Sequence, residues 1–140
     1  MSVFTTLEIS ASGLTAQRQR LNVIAENLAN THTTRTPQGG PYLRKNVILE
    51  AQPVEAFVSF LEVPQKVAVA QVVASREGLK PEYDPTHPDA DDQGMVLWPN
   101  VNPVAEMVSL ALASRAFEAN IAVFRVAKAM ALKALEIGRG

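Results

Sequence analysis

Between Pro103 and Gly138 no proline or glycine interrupts the chain, and no other feature constrains the fold as tightly. Asn102 is a good N-cap, Pro103 suits the first helical position, and Gly138 can take the left-handed conformation that closes a helix. Alanine is frequent, Glu106 falls in the first turn, and Lys133 and Arg139 fall near the end. Propensity and macrodipole therefore agree with the caps. A helix from Asn102 to Ile137 would be a rod of roughly 50 Å at 1.5 Å per residue. A rod longer than a small domain is wide needs a partner along its length.

Its seam is legible. Met107, Leu110, Phe117, Ile121, Phe124, Ala131 and Leu135 recur at alternating steps of three and four, with Ser114 and Lys128 as polar breaks in the register. That is a heptad pattern. It serves equally as the core stripe of a monomeric bundle or as a seam between subunits, and periodicity alone does not choose. A second heptad helix occupies the first thirty residues. Leu7, Leu14, Leu21 and Leu28 fall seven apart, with Phe4, Ala11, Arg18 and Ala25 at the complementary position. Arg18 interrupts this seam. Ser10, Ser12 and Gly13 weaken the helix, glycine costing about 1 kcal/mol against alanine. Because burying a leucine contributes about 1.5 to 3 kcal/mol, such a helix becomes stable once a partner covers it, and the C-terminal helix is the obvious one. The expectation is a mainly α fold: two long end helices packed as a coiled-coil pair, residues 1–30 with 100–140, with further faces free for neighbours.

Residues 31–99 read as loop and a small β insertion. The polar run from Glu26 to Thr36 supplies a C-cap and turn, and His32 within it has no paired acid or nucleophile that would make it catalytic. Pro37-Gln38-Gly39-Gly40-Pro41 marks a boundary. Beyond it the period changes to short strands at Tyr42 to Leu49 and Lys66 to Val73, with Val54 to Val63 as a further arm and Met95 to Trp98 as the last strand before Pro99. The intervening loop, Pro81 to Gly94, is rich in proline and acid. Asp89, Asp91 and Gly94 fall at positions 1, 3 and 6 of a calcium loop, but Gln93 and Asn100 stand where stronger ligands are needed. His87 with two aspartates is an undiagnostic oxygen-rich set. Solvated carboxylates on a prolyl-stiffened turn explain the same residues more simply, and no metal or cofactor is expected.

Composition narrows the function classes. A net charge of -1 over 140 residues, with Lys and Arg scattered, leaves no field to draw in nucleic acid. Without cysteine there is no disulfide, thiolate zinc site or thiol nucleophile. The start shows no cleavable secretory signal, and no unbroken apolar run approaches membrane-spanning length. Three classes remain: a filament-forming structural subunit; a coiled-coil adaptor or other secretion-associated binding protein; and a metal-dependent hydrolase built on His87, Asp89 and Asp91, which lacks a paired base and a phosphate-cradling loop.

The two heptad helices, the turn Asn27-Leu28-Ala29-Asn30-Thr31, the loop Tyr83-Asp84-Pro85-Thr86-His87-Pro88-Asp89-Ala90-Asp91, the Pro99-to-Val104 lead-in, the Ser114-to-Asn120 turn of helix and the Lys128-to-Arg139 tail together resemble the bacterial flagellar basal-body rod proteins of the rod and hook axial family. Asn27, Asn30 and Tyr42 resemble a turn shared across that family. The loop and lead-in narrow the resemblance to one proximal-rod branch, while residues 50–80 match weakly. The resemblance implies a non-enzymatic subunit of the periplasm-spanning rod, part of a torque-transmitting drive shaft, exported uncleaved through the flagellar type III apparatus and packed by its terminal helices into concentric tubes. Its implied partners are FlgB, FlgF and FlgG, FliE, the membrane ring beneath and further copies of the chain, with no nucleic acid or small-molecule substrate. It also implies a short export-gate motif, which Phe57-Val58-Ser59-Phe60-Leu61 matches in its spacing of Phe57 and Leu61, although a strand core explains the same residues.

Overall fold

The computed structural model describes residues 3–54 and 64–138. In chain order these form α1 (Val3–Ala29), β1 (Lys45–Pro53), β2 (Gln65–Ala74), β3 (Lys80–Tyr83), β4 (Met95–Trp98) and α2 (Pro103–Gly138). Asn102 caps α2 as its side chain suggests: Oδ1 accepts from the Val104 and Ala105 amides at 3.1 and 3.3 Å. The far end differs from expectation. Gly138 is still helical, and the only described residues with positive φ are Gly39, Gly40, Gly78 and Gly94.

The end helices pack against each other, antiparallel. Asn27 near the end of α1 bonds Glu106 at the start of α2, and Gly13 lies against Asn120 farther along. The buried side of α2 runs Glu106, Leu110, Ala113, Phe117, Asn120, Phe124, Ala127 and Ala131. Half of the expected seam is there, namely Leu110, Phe117, Phe124 and Ala131. The alternate positions are one residue earlier than expected: Glu106, Ala113, Asn120 and Ala127 replace Met107, Ser114, Ile121 and Lys128. Ile121 is still half-buried, but Met107 and Leu135 are mostly exposed. On α1 the four leucines Leu7, Leu14, Leu21 and Leu28 are half-buried, while Phe4, Ala11, Arg18 and Ala25 face solvent. Ser10, Ala16, Val23, Ile24 and Asn27 are the buried positions of that helix. The reason is steric. Hydrophobic ranking places the largest side chains at a seam's centre, but Gly13, Ala16, Ala113 and Ala127 let two backbones approach closely, and larger side chains then flank them.

The β insertion leans on α1. β1 and β2 pair antiparallel, with a bulge where Ile48 faces Gln71 and Leu49 faces Val69. Ser12 Oγ accepts from the Val67 amide at 3.1 Å, and Lys66 reaches Glu8 at 3.2 Å. Ser12, which weakens α1 as a helix, thus ties the hairpin to it. β3 and β4 form a second antiparallel pair, Lys80 opposite Trp98 and Tyr83 opposite Met95. β3 was not anticipated, because Pro81 argues against a strand; a two-stranded edge tolerates it. The 84–94 loop closes through Gly94 at φ 76°, where a Cβ would sit 2.9 Å from the Tyr83 ring. Of the expected third arm, Val54 bonds the Pro64 carbonyl from its amide; the rest, including Phe57 and Leu61, lies outside the described residues.

α2 is long and apolar enough to cross a membrane by length and composition, with a mean hydropathy of 1.3 over an 18-residue window. No single apolar run shows this, since scattered charges break every run while the average stays high.

Gly13 carries a prediction. Its absent side chain costs α1 about 1 kcal/mol of propensity, yet a Cβ there would lie 3.1 Å from the Asn120 amide group. In urea unfolding, Gly13→Ala should stabilise by about 1 kcal/mol in an Asn120→Ala background and by clearly less in the wild type. Equal gains in both backgrounds would show that the two residues do not meet.

Candidate functional site: a polar node and an apolar stripe

Where α1 ends and α2 begins, polar side chains converge in the interior. Asn27 and Glu106 are each about 1% exposed. The Asn27 amide donates to the Lys45 carbonyl at 2.9 Å and to Glu106 Oε2 at 3.1 Å. Its oxygen accepts from the Tyr42 hydroxyl at 2.9 Å and the Lys45 amide at 3.0 Å. A carboxamide has two donors and two acceptor lone pairs, and all four are used. Glu106 Oε1 accepts from Arg44 Nε at 2.6 Å, a charge-assisted contact. The Arg44 amide donates to Asn100 Oδ1 at 2.8 Å, and Asn100 donates to the Ser75 and Glu77 carbonyls. One network thereby joins α1, the 31–44 segment, β1, the turn that follows β2 and the start of α2.

Burial, reinforced by the nearby negative charges of Glu26 and Glu106, pushes the Tyr42 hydroxyl from its ordinary value near 10 up to about 12. Tyr42 is therefore held as a neutral donor. Lys45 pairs with Glu26 and lies 5.7 Å from the Tyr42 ring centre. Asn30 stands apart from the node. It closes α1, its amide side chain donating to the Glu26 carbonyl at 2.9 Å and its oxygen accepting from Thr33 Oγ1 at 3.0 Å.

A second cluster fastens the acidic loop. Trp98 has His32 and His87 edge-on at 5.9 and 5.8 Å. Asp89 accepts from Thr34 Oγ1 at 2.8 Å and faces Arg35 at 3.6 Å. Asp84 is held below the usual carboxylate range, chiefly by hydrogen bonds from Thr86. Asp91 accepts from the Gln93 and Met95 amides. Asp84 and Asp91 thus serve as turn acceptors and Asp89 ties the loop to Thr34 and Arg35, and among the described residues no three His, Cys, Asp or Glu side chains group as metal ligands would.

Two family models match the chain: "Flagella basal body rod protein" over residues 7–35 and "Flagellar basal body rod FlgEFG protein C-terminal" over residues 92–137. Full-length relatives include the flagellar basal-body rod protein FlgC of Borreliella burgdorferi, 41% identical over 100% of both chains. FlgC of Bacillus subtilis is 41% identical and FlgC of Escherichia coli O6:H1 40%, each over 99% of this chain and 100% of the relative. The chain belongs to the FlgC family. It is a structural protein of the flagellar basal-body rod by that membership.

In this FlgC-family chain the two matched segments supply the two most deeply buried residues of the node, Asn27 and Glu106, while Tyr42, Arg44 and Lys45 come from the stretch between. Sequence reading singled out Asn27, Asn30 and Tyr42. It missed Glu106, read only as a helix-dipole acid, and Arg44 and Asn100. The available signal was Glu106's register: it stands four residues before Leu110 on the seam, where a carboxylate has to be paired.

α2 also carries a second apolar stripe. Val108, Leu112, Val123, Val126, Met130 and Ile137 are all about half or more exposed, and at 3.6 residues per turn they gather on one side of the helix, about a third of a turn round from the seam. Phe4, Met107 and Leu135, expected in the seam, are exposed as well.

The two asparagines of the turn should behave differently. Asn27→Ala leaves Glu106, Tyr42 and Lys45 with unmet bonds in the interior and should cost about 2 to 4 kcal/mol in chemical unfolding; Asn30→Ala, at a helix end, should cost under about 1 kcal/mol. Comparable losses would contradict the node. A raised Tyr42 value means its stabilisation is complete below pH 10 and is lost as pH rises from 10 to about 12, because the unfolded chain ionises first. In a Tyr83→Phe variant, phenolate absorbance should rise near pH 12 or together with alkaline unfolding. A rise near pH 10 with helicity intact would refute the buried donor.

Proposed function

We propose that the chain is one stave of the proximal rod: a purely structural, non-catalytic subunit whose end helices, residues 1–30 with 100–140, form the assembly unit from which the 31–99 insertion projects. The observation that carries this reading is the two-sided α2. One stripe is closed by α1 and the other is left open over most of the helix. An exposed apolar band of that length marks a protein or membrane contact. Membrane crossing is the weaker use, because Arg115, Glu118, Arg125, Lys128 and Lys133 interrupt α2 at intervals shorter than the roughly 20 apolar residues a span needs, and each would cost about 2.5 to 3.5 kcal/mol at mid-bilayer.

Packing of the open stripe against other subunits is heterologous, since a stripe on one chain meets a different surface on the next, and such contacts propagate into helical tubes. Torque then passes through many small contacts among close-packed side chains, and the tube yields only if many yield together. The neighbours this reading assigns are other copies of the chain, the rod proteins FlgB, FlgF and FlgG, FliE and the membrane ring. Delivery runs through the flagellar type III export apparatus, with Phe57 and Leu61 as its recognition motif. Helices that gain most of their cover from neighbours suit a chain that is threaded unfolded and ordered on arrival.

Aspartate at Val108 and Val126 tests the stripe. Both side chains are exposed, so the purified double variant should unfold within about 0.5 kcal/mol of wild type while cells carrying it lose motility and basal-body rods. Leu14→Asp with Phe117→Asp, which strikes the covered side, should abolish motility through lost folding. Full motility with aspartates on the open stripe would count decisively against a rod contact there. For export, Phe57→Ala with Leu61→Ala should block secretion with cytoplasmic levels unchanged; normal secretion would remove the motif.

A further inference from the structure

Beside the node a cavity of about 100 Å³ opens between α1, β1 and the first turns of α2, with Arg20, Arg44, Lys45, Asn46, Glu106 and Ser109 in its walls. Its size matches about three waters, the scale of one carboxylate group with a methylene. The wall's side-chain acceptors are already engaged: Glu106 takes Arg44 and Asn27, and Asn46 Oδ1 takes Arg44 Nη1 at 2.7 Å. Donors are in surplus. Arg20 makes no hydrogen bond or ion pair with any described residue, and neither does the Ser109 hydroxyl. The charges leave the same imbalance, since Arg44 is answered by Glu106 and Lys45 by Glu26, while Arg20 has no counterion among the described residues.

We propose that this cavity is a socket for the carboxylate of an aspartate or glutamate side chain on a neighbouring rod subunit. A guanidinium presents a planar fork of donors that fits a carboxylate two-to-two, and Arg20 is the one wall cation free to offer it. Ser109 lies on α2 between the closed seam and the open stripe, so an acidic side chain entering here belongs to a chain packed along that stripe. The socket would set register where the apolar stripe alone permits sliding, because a desolvated charge contact tolerates little displacement. The inference rests on the rod reading.

Two measurements test it. In the purified chain with nitrogen-15-labelled arginine, sodium acetate should shift the Arg20 Nε–Hε resonance saturably, and sodium chloride at equal ionic strength should not; no acetate-specific response overturns the socket. In cells, Arg20→Gln should leave the melting of the purified chain and its secretion unchanged but lower its recovery in basal bodies about tenfold, with Arg20→Lys restoring part of the loss. Wild-type recovery of Arg20→Gln in basal bodies overturns the contact while leaving the rod reading intact, and if acetate still binds, the site takes free carboxylates instead. A loss of melting stability in Arg20→Gln likewise overturns it, assigning Arg20 to the fold. Absence of the unaltered chain from purified basal bodies is the separate result that would defeat the rod reading itself.

Discussion

The side chain of Asn27 is the point through which the fold is tied. Its four hydrogen bonds reach the backbone of β1, the Tyr42 hydroxyl and the Glu106 carboxylate, so α1 cannot leave α2 without stranding a buried carboxylate and a buried hydroxyl together. Leaving one such group unpaired costs about 1 to 3 kcal/mol, more when it is charged. Apolar packing between the helices is non-directional and would tolerate sliding by a turn. The node does not tolerate it, because only one register places Asn27, Arg44 and Glu106 within bonding distance. Direction and register of the pair are thus set by polar contacts at one end, while the small residues Gly13, Ala16, Ala113 and Ala127 allow the close approach along the rest.

Fixing α1 on one side of α2 determines what is left on the other. The polar node and small-residue seam consume the face from Glu106 to Ala131, and the larger side chains Val108, Leu112, Val123, Val126 and Met130 are turned outward. A monomer gains nothing from that arrangement; exposed apolar area of this extent is a liability unless covered. On the proposed rod reading it becomes the means of assembly. The same division explains why α2 has the length and mean hydropathy of a membrane span while reading as a rod helix: it is apolar on two sides, not all round.

Much of this was legible in the sequence. Helix length, the Asn102 cap and the pairing of the chain ends followed from propensity, capping chemistry and heptads. The seam's register did not, because Met107 and Ile121 outrank Glu106 and Asn120 in hydrophobicity, and only the partner helix shows that small and paired polar residues belong at the centre. Ser12 and Gly13 looked like defects in α1 for the same reason; one accepts a bond from β2 and the other makes room for Asn120. Pro81 concealed β3, since its missing amide matters only when a strand is flanked on both sides. The node spans Asn27 to Glu106 in sequence, and pairings at that separation leave no local pattern.

The rod contact proposed for α2 requires that its outer stripe be covered in the assembled rod. The chain contains no cysteine, so a single Val126→Cys thiol can be read without interference. Maleimide labelling of that thiol should be fast in the purified chain, blocked in isolated intact basal bodies, and restored when those basal bodies are dissociated. Equal labelling of the free chain and of intact basal bodies would mean that the stripe faces solvent in the rod, contradicting its role as the surface on which neighbouring subunits pack.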